Sequence, residues 1–222
     1  MKHKKIYQGI LKYFLTDAKI VRQEQYAAGT DYVLAVSGPA ASGKTTFCRG
    51  LKRHLTDMKI STIHVPLDGY LLDRQTRSKN KFSGYDPQSS DLPRMIDQMK
   101  TLIFNGKPID LPIYDHETGE HKCPCRIEPA RVIILDGIMS LQYEMRERFS
   151  NLNIFFTSDD IVIRGLRLLT DMEERGYSVF QALAHSDQEF LSYNKWIYPQ
   201  ITFAHVKIWV NKQRQLHIRQ SI

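Results

Sequence analysis

Gly38, Pro39, Ala40, Ala41, Ser42, Gly43, Lys44 and Thr45 satisfy the pattern G-x-x-x-x-G-K-[ST] in full. Glycines at this spacing let backbone N–H groups curl around phosphate oxygens. A helix that starts at the end of the run adds positive potential from its N-terminus, and a lysine there can reach the β- and γ-phosphates. The residues expected to cradle a nucleoside triphosphate are Gly38, Ala40, Ala41, Ser42, Gly43, Lys44, Thr45 and Thr46, with the Thr45 hydroxyl directed at Mg²⁺. The flanks agree, because Tyr32 to Ser37 is a short, apolar, β-branched run that suits a buried parallel strand, and Thr45 to Leu51 continues as a helix.

Phosphoryl transfer needs more than a cradle: a metal, a group that orients or deprotonates the acceptor, and cations over the transferring phosphoryl group. Asp136 ends the hydrophobic run Ile133-Ile134-Leu135 and is placed to bind Mg²⁺ directly or through water, with a helix cap as the competing role. Asp68 follows Val65-Pro66-Leu67 and is placed to accept a proton from an acceptor hydroxyl, with a turn aspartate before Gly69 as the alternative. Arg164, Arg167 and Asp171 stand at i, i+3 and i+7, hence on one helical face, where arginines near a triphosphate would stabilise spreading charge. The competing reading is a solvated face with an Arg167–Asp171 pair. His116, His121, Cys123 and Cys125 lie close in sequence, but C-x-C without a second pair does not complete a zinc site, so a surface loop is expected there.

These residues need a frame to position them. Lys59 to Val65 and Arg131 to Leu135 read as further buried strands, as do Leu152 to Thr157 and Val206 to Val210. Residues 92–105, 139–149, 159–174 and 178–197 read as helices, and 5–20 as a short amphipathic helix. Alternation of this kind, with the phosphate loop after the first strand, predicts a three-layer, doubly wound, mostly parallel α/β sheet of the P-loop NTPase type, with Asp68 and Asp136 in the crevice beyond the carboxyl ends of the strands. Polar residues 73–91 and proline-bearing residues 107–129 read as long loops. Residues 1–222 are expected to form one domain, with a helical extension at 1–28 and a lid segment at 159–185.

The length of 222 residues and 42% hydrophobic content suit one such core. A net charge of +7 fits a site for polyanionic nucleotides, and no aromatic-interleaved basic motif points to a nucleic-acid partner. No apolar run is long enough to span a membrane, the basic N-terminus lacks a signal-peptide core, and three cysteines do not form a disulfide framework, so a cytoplasmic protein with free thiols is expected.

Gly38–Thr45, Val65–Tyr70, Pro112–Asp115, Leu135–Ile138 and Asp171–Gly176 occur in the order and rough spacing of the uridine kinase family, which this chain resembles over residues 30–211. The resemblance implies transfer of the γ-phosphate of ATP to a hydroxyl of a small acceptor, a nucleoside such as uridine or cytidine, with ATP and Mg²⁺ as cofactors. It implies Asp68 as the residue that activates the acceptor hydroxyl and Asp136 as a metal ligand, with Lys44, Arg164, Arg167 and Arg175 serving catalysis. Asp68, Tyr70, Tyr85, Asp86, Tyr114 and His121 are implied at the acceptor, against packing roles for Tyr85 and Tyr114. The sequence departs from the family pattern at Leu71, Gly119 and Thr170. Kinases of other small acceptors, such as pantothenate or a sugar, and a nucleotide-binding regulatory protein are the alternatives. A homo-oligomer is left open.

Overall fold

The computed structural model describes residues 6–10, 29–173 and 176–221. In chain order the elements are β1 (Tyr32–Ser37), α1 (Lys44–Asp57), β2 (Thr62–Pro66), α2 (Arg74–Lys79), α3 (Leu92–Ile103), β3 (Ile109–Tyr114), β4 (His121–Ile127) and β5 (Val132–Asp136). There follow α4 (Tyr143–Phe149), β6 (Leu152–Thr157), α5 (Asp160–Glu173), α6 (Val179–Trp196), β7 (Val206–Val210) and β8 (Leu216–Ser221). Short 3₁₀ turns occupy Leu67–Tyr70, Pro87–Ser89 and Tyr198–Phe203.

The central sheet has the order β2-β5-β1-β6-β7-β8. Its first five strands are parallel and β8 closes the edge in antiparallel pairing with β7. Every residue of β1 and β5 is buried, as strands covered by helices on both faces must be. Their side chains alternate between two cores. Val33, Ala35, Ile133 and Leu135 point into one with Met95, Met99 and Tyr193. Tyr32, Leu34, Val36, Val132 and Ile134 point into the other with Phe47, Cys48 and Leu51 of α1. Sheet and flanking helices thus form the expected three-layer arrangement.

The helices start where side chains can satisfy their first N–H groups. Asp91 accepts from Arg94 N at the head of α3, and Ser178 with Gln181 forms a reciprocal capping box on α6. The helix expected at 139–149 begins later, at Tyr143, because Met139 to Gln142 turn tightly through Ser140 N→Gly137 O and Gln142 N→Met139 O. Residues 6–10 are helical and bury Ile6, Tyr7 and Ile10 beside α1, whereas most of the expected extension at 1–28 lies outside the described residues.

Two segments read as loops contain regular structure. Residues 73–91 hold α2, capped by Asp73 accepting from Thr76 N. Residues 107–129 hold the antiparallel hairpin β3–β4, with Ile109 paired to Ile127 and Tyr114 to His121. Strand β4 buries none of its residues, so no apolar alternation marked it in the sequence. The hairpin docks on the turn after β2: a Cβ on Gly69 would lie 1.9 Å from the Pro112 carbonyl oxygen. Gly69→Ala must therefore push two backbones apart. A stability loss of about 1–3 kcal/mol is expected, measured as a lower denaturation midpoint with an unchanged m-value; a neutral effect would contradict the close approach.

Candidate active site

The loop after β1 takes the shape its glycines allow. Gly38 has φ 138°, and a Cβ there would stand 2.5 Å from the Phe156 carbonyl oxygen, so a side chain is excluded by conformation and by space. Ala41 and Gly43 also adopt positive φ, at 64° and 86°, which curls the chain before Gly43 hands over to α1 through Phe47 N→Gly43 O. Lys44 is buried, and its Nζ donates to the Pro39 carbonyl at 2.7 Å. Burial depresses its pKa below the ordinary lysine value, while Asp136 and Asp68 oppose that shift. The Ser42 hydroxyl is buried without a hydrogen-bond partner, Thr45 is half-buried and Thr46 is exposed.

Both candidate acids lie beside this loop for a reason of register. Pro66 pairs with Asp136, and Asp136 pairs with Val36, so the ends of β2, β5 and β1 are level. Asp68 sits one turn beyond β2, and a Cβ on Gly137 would come within 3.4 Å of Asp68 Oδ1. The carboxylates face different surroundings. Asp136 is buried, with Oδ2 3.0 Å from His64 Nε2, while Oδ1 is buried and unpartnered. Asp68 is 43% exposed, with His116 Nε2 3.6 Å from its Oδ2. A hard cation fits this donor set, because the orphaned oxygen of Asp136 keeps an acceptor for the ion or its water and the Thr45 hydroxyl lies in the first turn of α1.

The residues expected at the acceptor are arranged as follows in the structure. Tyr70 is buried and its hydroxyl donates to Gln98 Oε1 at 2.6 Å, so it faces the core rather than a ligand. Tyr85 is only 3% exposed, with its ring edge-on to Tyr193, which leaves no face for stacking a base. Its hydroxyl instead accepts from the Ala40 N–H of the phosphate loop at 3.1 Å. Asp86 caps the next turn through Gln88 N. Tyr114 is buried, with His116 and His121 against its ring edge-on and Arg77 donating to its hydroxyl at 2.5 Å. His121 Nε2 donates to the Gly69 carbonyl at 3.0 Å and so ties the hairpin to the Asp68 turn. Gly119 packs on α2: a Cβ there would be 2.6 Å from that of Arg74.

Sequence reasoning missed Arg74, Arg77 and His64, and placed His116 only in a surface loop. Arg74 donates to the His116 carbonyl at 2.6 Å, and Arg77 to the Leu72 carbonyl at 2.9 Å. Both arginines lie on a helix too short and polar to show periodicity, and His64 sits among apolar strand residues.

The arginine-bearing helix α5 divides its charges. Arg164 pairs with Asp187 of α6 at 2.6 Å and covers the Phe190 ring, an exposed contact worth less than about 1 kcal/mol, so this side chain faces α6. Arg167 points inward. Its Nε donates to both Asp171 oxygens at 2.9 and 2.8 Å, Nη2 lies 3.5 Å from Glu189 Oε2 and Nη1 3.5 Å from the Tyr85 hydroxyl. Burial works against its charge, but Tyr85, Glu189 and Asp171 together hold its pKa above the ordinary value. Arg175 lies outside the described residues.

A sequence model described as the Phosphoribulokinase / Uridine kinase family matches residues 33–217. The phosphoribulokinase of Synechocystis sp. is 30% identical over 192 residues, which cover 85% of this chain and 56% of that protein. This chain therefore spans little more than half the length of that relative. The uridine kinase of Streptococcus pneumoniae is 35% identical over 151 residues, covering 66% of this chain and 70% of the relative. D-glycerate 3-kinase from Cryptococcus neoformans superposes with a TM-score of 0.70 over 98% of this chain and 99% of its own, at 15% identity, a likeness of fold.

Tyr85 joins the phosphate loop to Arg167, and its hydroxyl does so without exposing the ring. Tyr85→Phe keeps the packing and strands the Ala40 N–H. The loss of about 1 kcal/mol of loop order is expected to weaken binding of a non-hydrolysable ATP analogue roughly fivefold by calorimetry. Unchanged affinity would show that the bond does not order the loop.

Proposed function

This chain belongs to the Phosphoribulokinase / Uridine kinase family, and on that premise we propose that it transfers the γ-phosphate of ATP to a hydroxyl group of a small acceptor. The observation that carries this reading is the convergence of Asp68, Asp136 and the buried Lys44 at the level ends of β2, β5 and β1. The loop amides and the Lys44 ammonium hold the phosphates. Thr45 and Asp136 would hold Mg²⁺, which neutralises charge on the β- and γ-phosphates when bound. Asp68, solvent-accessible and beside His116, accepts the proton of the acceptor hydroxyl as its oxygen bonds to the γ-phosphorus and the bond to the β–γ bridging oxygen breaks. Arg167, released from Asp171 and Glu189, supplies positive charge to the transferring group.

For the acceptor, two readings compete. The uridine kinase likeness favours a nucleoside, with Tyr114 as the remaining aromatic contact. A second reading is supported by Arg74 and Arg77: among the described residues neither guanidinium forms an ion pair, and both bond to the loop and hairpin that carry His116 and Tyr114 next to Asp68. Two guanidinium groups with no acid partner among the described residues suit an acceptor that bears a phosphate or carboxylate as well as its hydroxyl. The buried positions of Tyr70 and Tyr85 also remove two of the contacts a nucleoside would use.

Two measurements test these statements. Asp68→Asn is expected to lower acceptor phosphorylation roughly 100- to 10,000-fold with ATP affinity retained; full activity would overturn the role of Asp68, and absence of acceptor-dependent turnover in the unaltered protein would point to a regulatory nucleotide binder. In an acceptor panel with ATP, turnover of sugar phosphates or hydroxy acids in preference to uridine and cytidine supports the anionic class. Arg74→Ala should then raise KM for that acceptor roughly tenfold to a hundredfold while leaving KM for ATP unchanged.

A further inference from the structure

We propose that Cys48, His64 and Asp136 form a second metal position, suited to a borderline transition ion such as Zn²⁺, beneath the phosphate loop and in competition with the catalytic cation for Asp136. Cys48 Sγ, a ring nitrogen of His64 and a carboxylate oxygen of Asp136 all lie within 4.8 Å of one another, with His64 Nε2 and Asp136 Oδ2 only 3.0 Å apart. Three elements bring them together. His64 and Asp136 project from β2 and β5 towards the face on which α1 packs, and Cys48 is in the second turn of that helix, wholly buried.

The donor types decide which ion fits. Tetrahedral Zn²⁺ takes thiolate sulfur at about 2.3 Å and imidazole nitrogen or carboxylate oxygen at about 2.0–2.2 Å, so its donors stand roughly three to four ångströms apart: the His64–Asp136 pair at 3.0 Å widens slightly, and Cys48 Sγ, within 4.8 Å of both, moves in by a small shift. Mg²⁺ prefers oxygen donors in an octahedron and gains nothing from sulfur. Binding needs no co-reactant: the Cys48 thiol proton is released to solvent as the metal–sulfur bond forms, and the imidazole binds through a ring nitrogen that carries no proton. Thiolate and carboxylate together then cancel the charge of the ion. Lys44, the nearby cation, is occupied by the Pro39 carbonyl. With three protein donors one coordination position remains open, and Asp136 is withdrawn from the triphosphate side.

Cobalt(II) is the probe. Titrated into the full-length protein without nucleotide, it should give a thiolate-to-cobalt absorption band that saturates at one ion per chain, is abolished by Zn²⁺ and survives excess Mg²⁺. Cys48→Ala and His64→Gln should each lose the band. Cys123 and Cys125 are exposed thiols that could produce a band of their own, so the Cys123→Ser/Cys125→Ser double variant must keep it. Loss of the band in that double variant, or its persistence in Cys48→Ala, overturns the assignment, and the double variant alone decides if Cys48→Ala does not fold. In a second arm, Zn²⁺ should weaken Mg²⁺-dependent binding of a fluorescent ATP analogue, and Cys48→Ala should abolish that sensitivity without altering binding in Mg²⁺ alone. The cobalt band does not depend on kinase chemistry, so failure of this site and failure of the proposed activity are separately visible.

Discussion

Parallel pairing in register of β2, β5 and β1 places Pro66, Asp136 and Val36 side by side at one edge of the sheet. Each strand must then leave the sheet at that edge, and the three exits are the Asp68 turn, the Asp136–Gly137 step and the phosphate loop. Chemistry collects there because backbone groups beyond the last ladder bond are free to meet a ligand. The rest of the architecture keeps those exits level. Two apolar cores clamp the sheet from both faces, and shifting either strand by one residue would reverse its side chains between them.

A cost accompanies this placement, since it buries charge. Lys44, Asp136, Arg167 and Asp171 are all largely removed from water, and an unpaired ion in such surroundings is expensive. Each has partners: Lys44 a loop carbonyl and two nearby carboxylates, Asp136 an imidazole, and Arg167 two carboxylates with a tyrosine hydroxyl. Those partners hold the cations in place while the triphosphate is absent, and they belong to the phosphate loop, the acceptor segment and α5–α6 alike. Tyr85 is where the three meet, bonded to the loop amide and facing the arginine.

The parts proposed to address the acceptor are built differently. Between β2 and β5 the chain adds α2, α3 and the β3–β4 hairpin, of which α2 and β4 bury little. Such elements can change residue by residue without disturbing either core, which suits a family whose members bear the names of different kinases. On α2, Arg74 and Arg77 are held by carbonyls and a tyrosine hydroxyl, and among the described residues neither pairs with an acid, whereas Lys122 of the hairpin pairs with Asp115.

Local sequence was enough for whatever depends on local geometry or on full burial. The phosphate loop could be read because its glycines answer conformational demands at fixed spacing, β1, β5 and β6 because strands buried on both faces are dominated by apolar residues, and β7 by the alternation of Val206, Ile208 and Val210. Strand β4, helix α2 and edge strand β8 left no comparable signal, since exposed elements are free of the periodicity that burial imposes. The aromatic residues were legible as to type but not direction: whether Tyr70 and Tyr85 face a ligand or the core follows from how the 3₁₀ turn and α6 pack around them. So the sequence by itself determined the triphosphate cradle, the doubly wound sheet and the two acids at its edge. Only the tertiary structure decided what each acid touches, that Arg167 turns inward while Arg164 turns to α6, and that Cys48 and His64 meet Asp136, because those contacts join residues whose spacing along the chain carries no trace of their closeness in space.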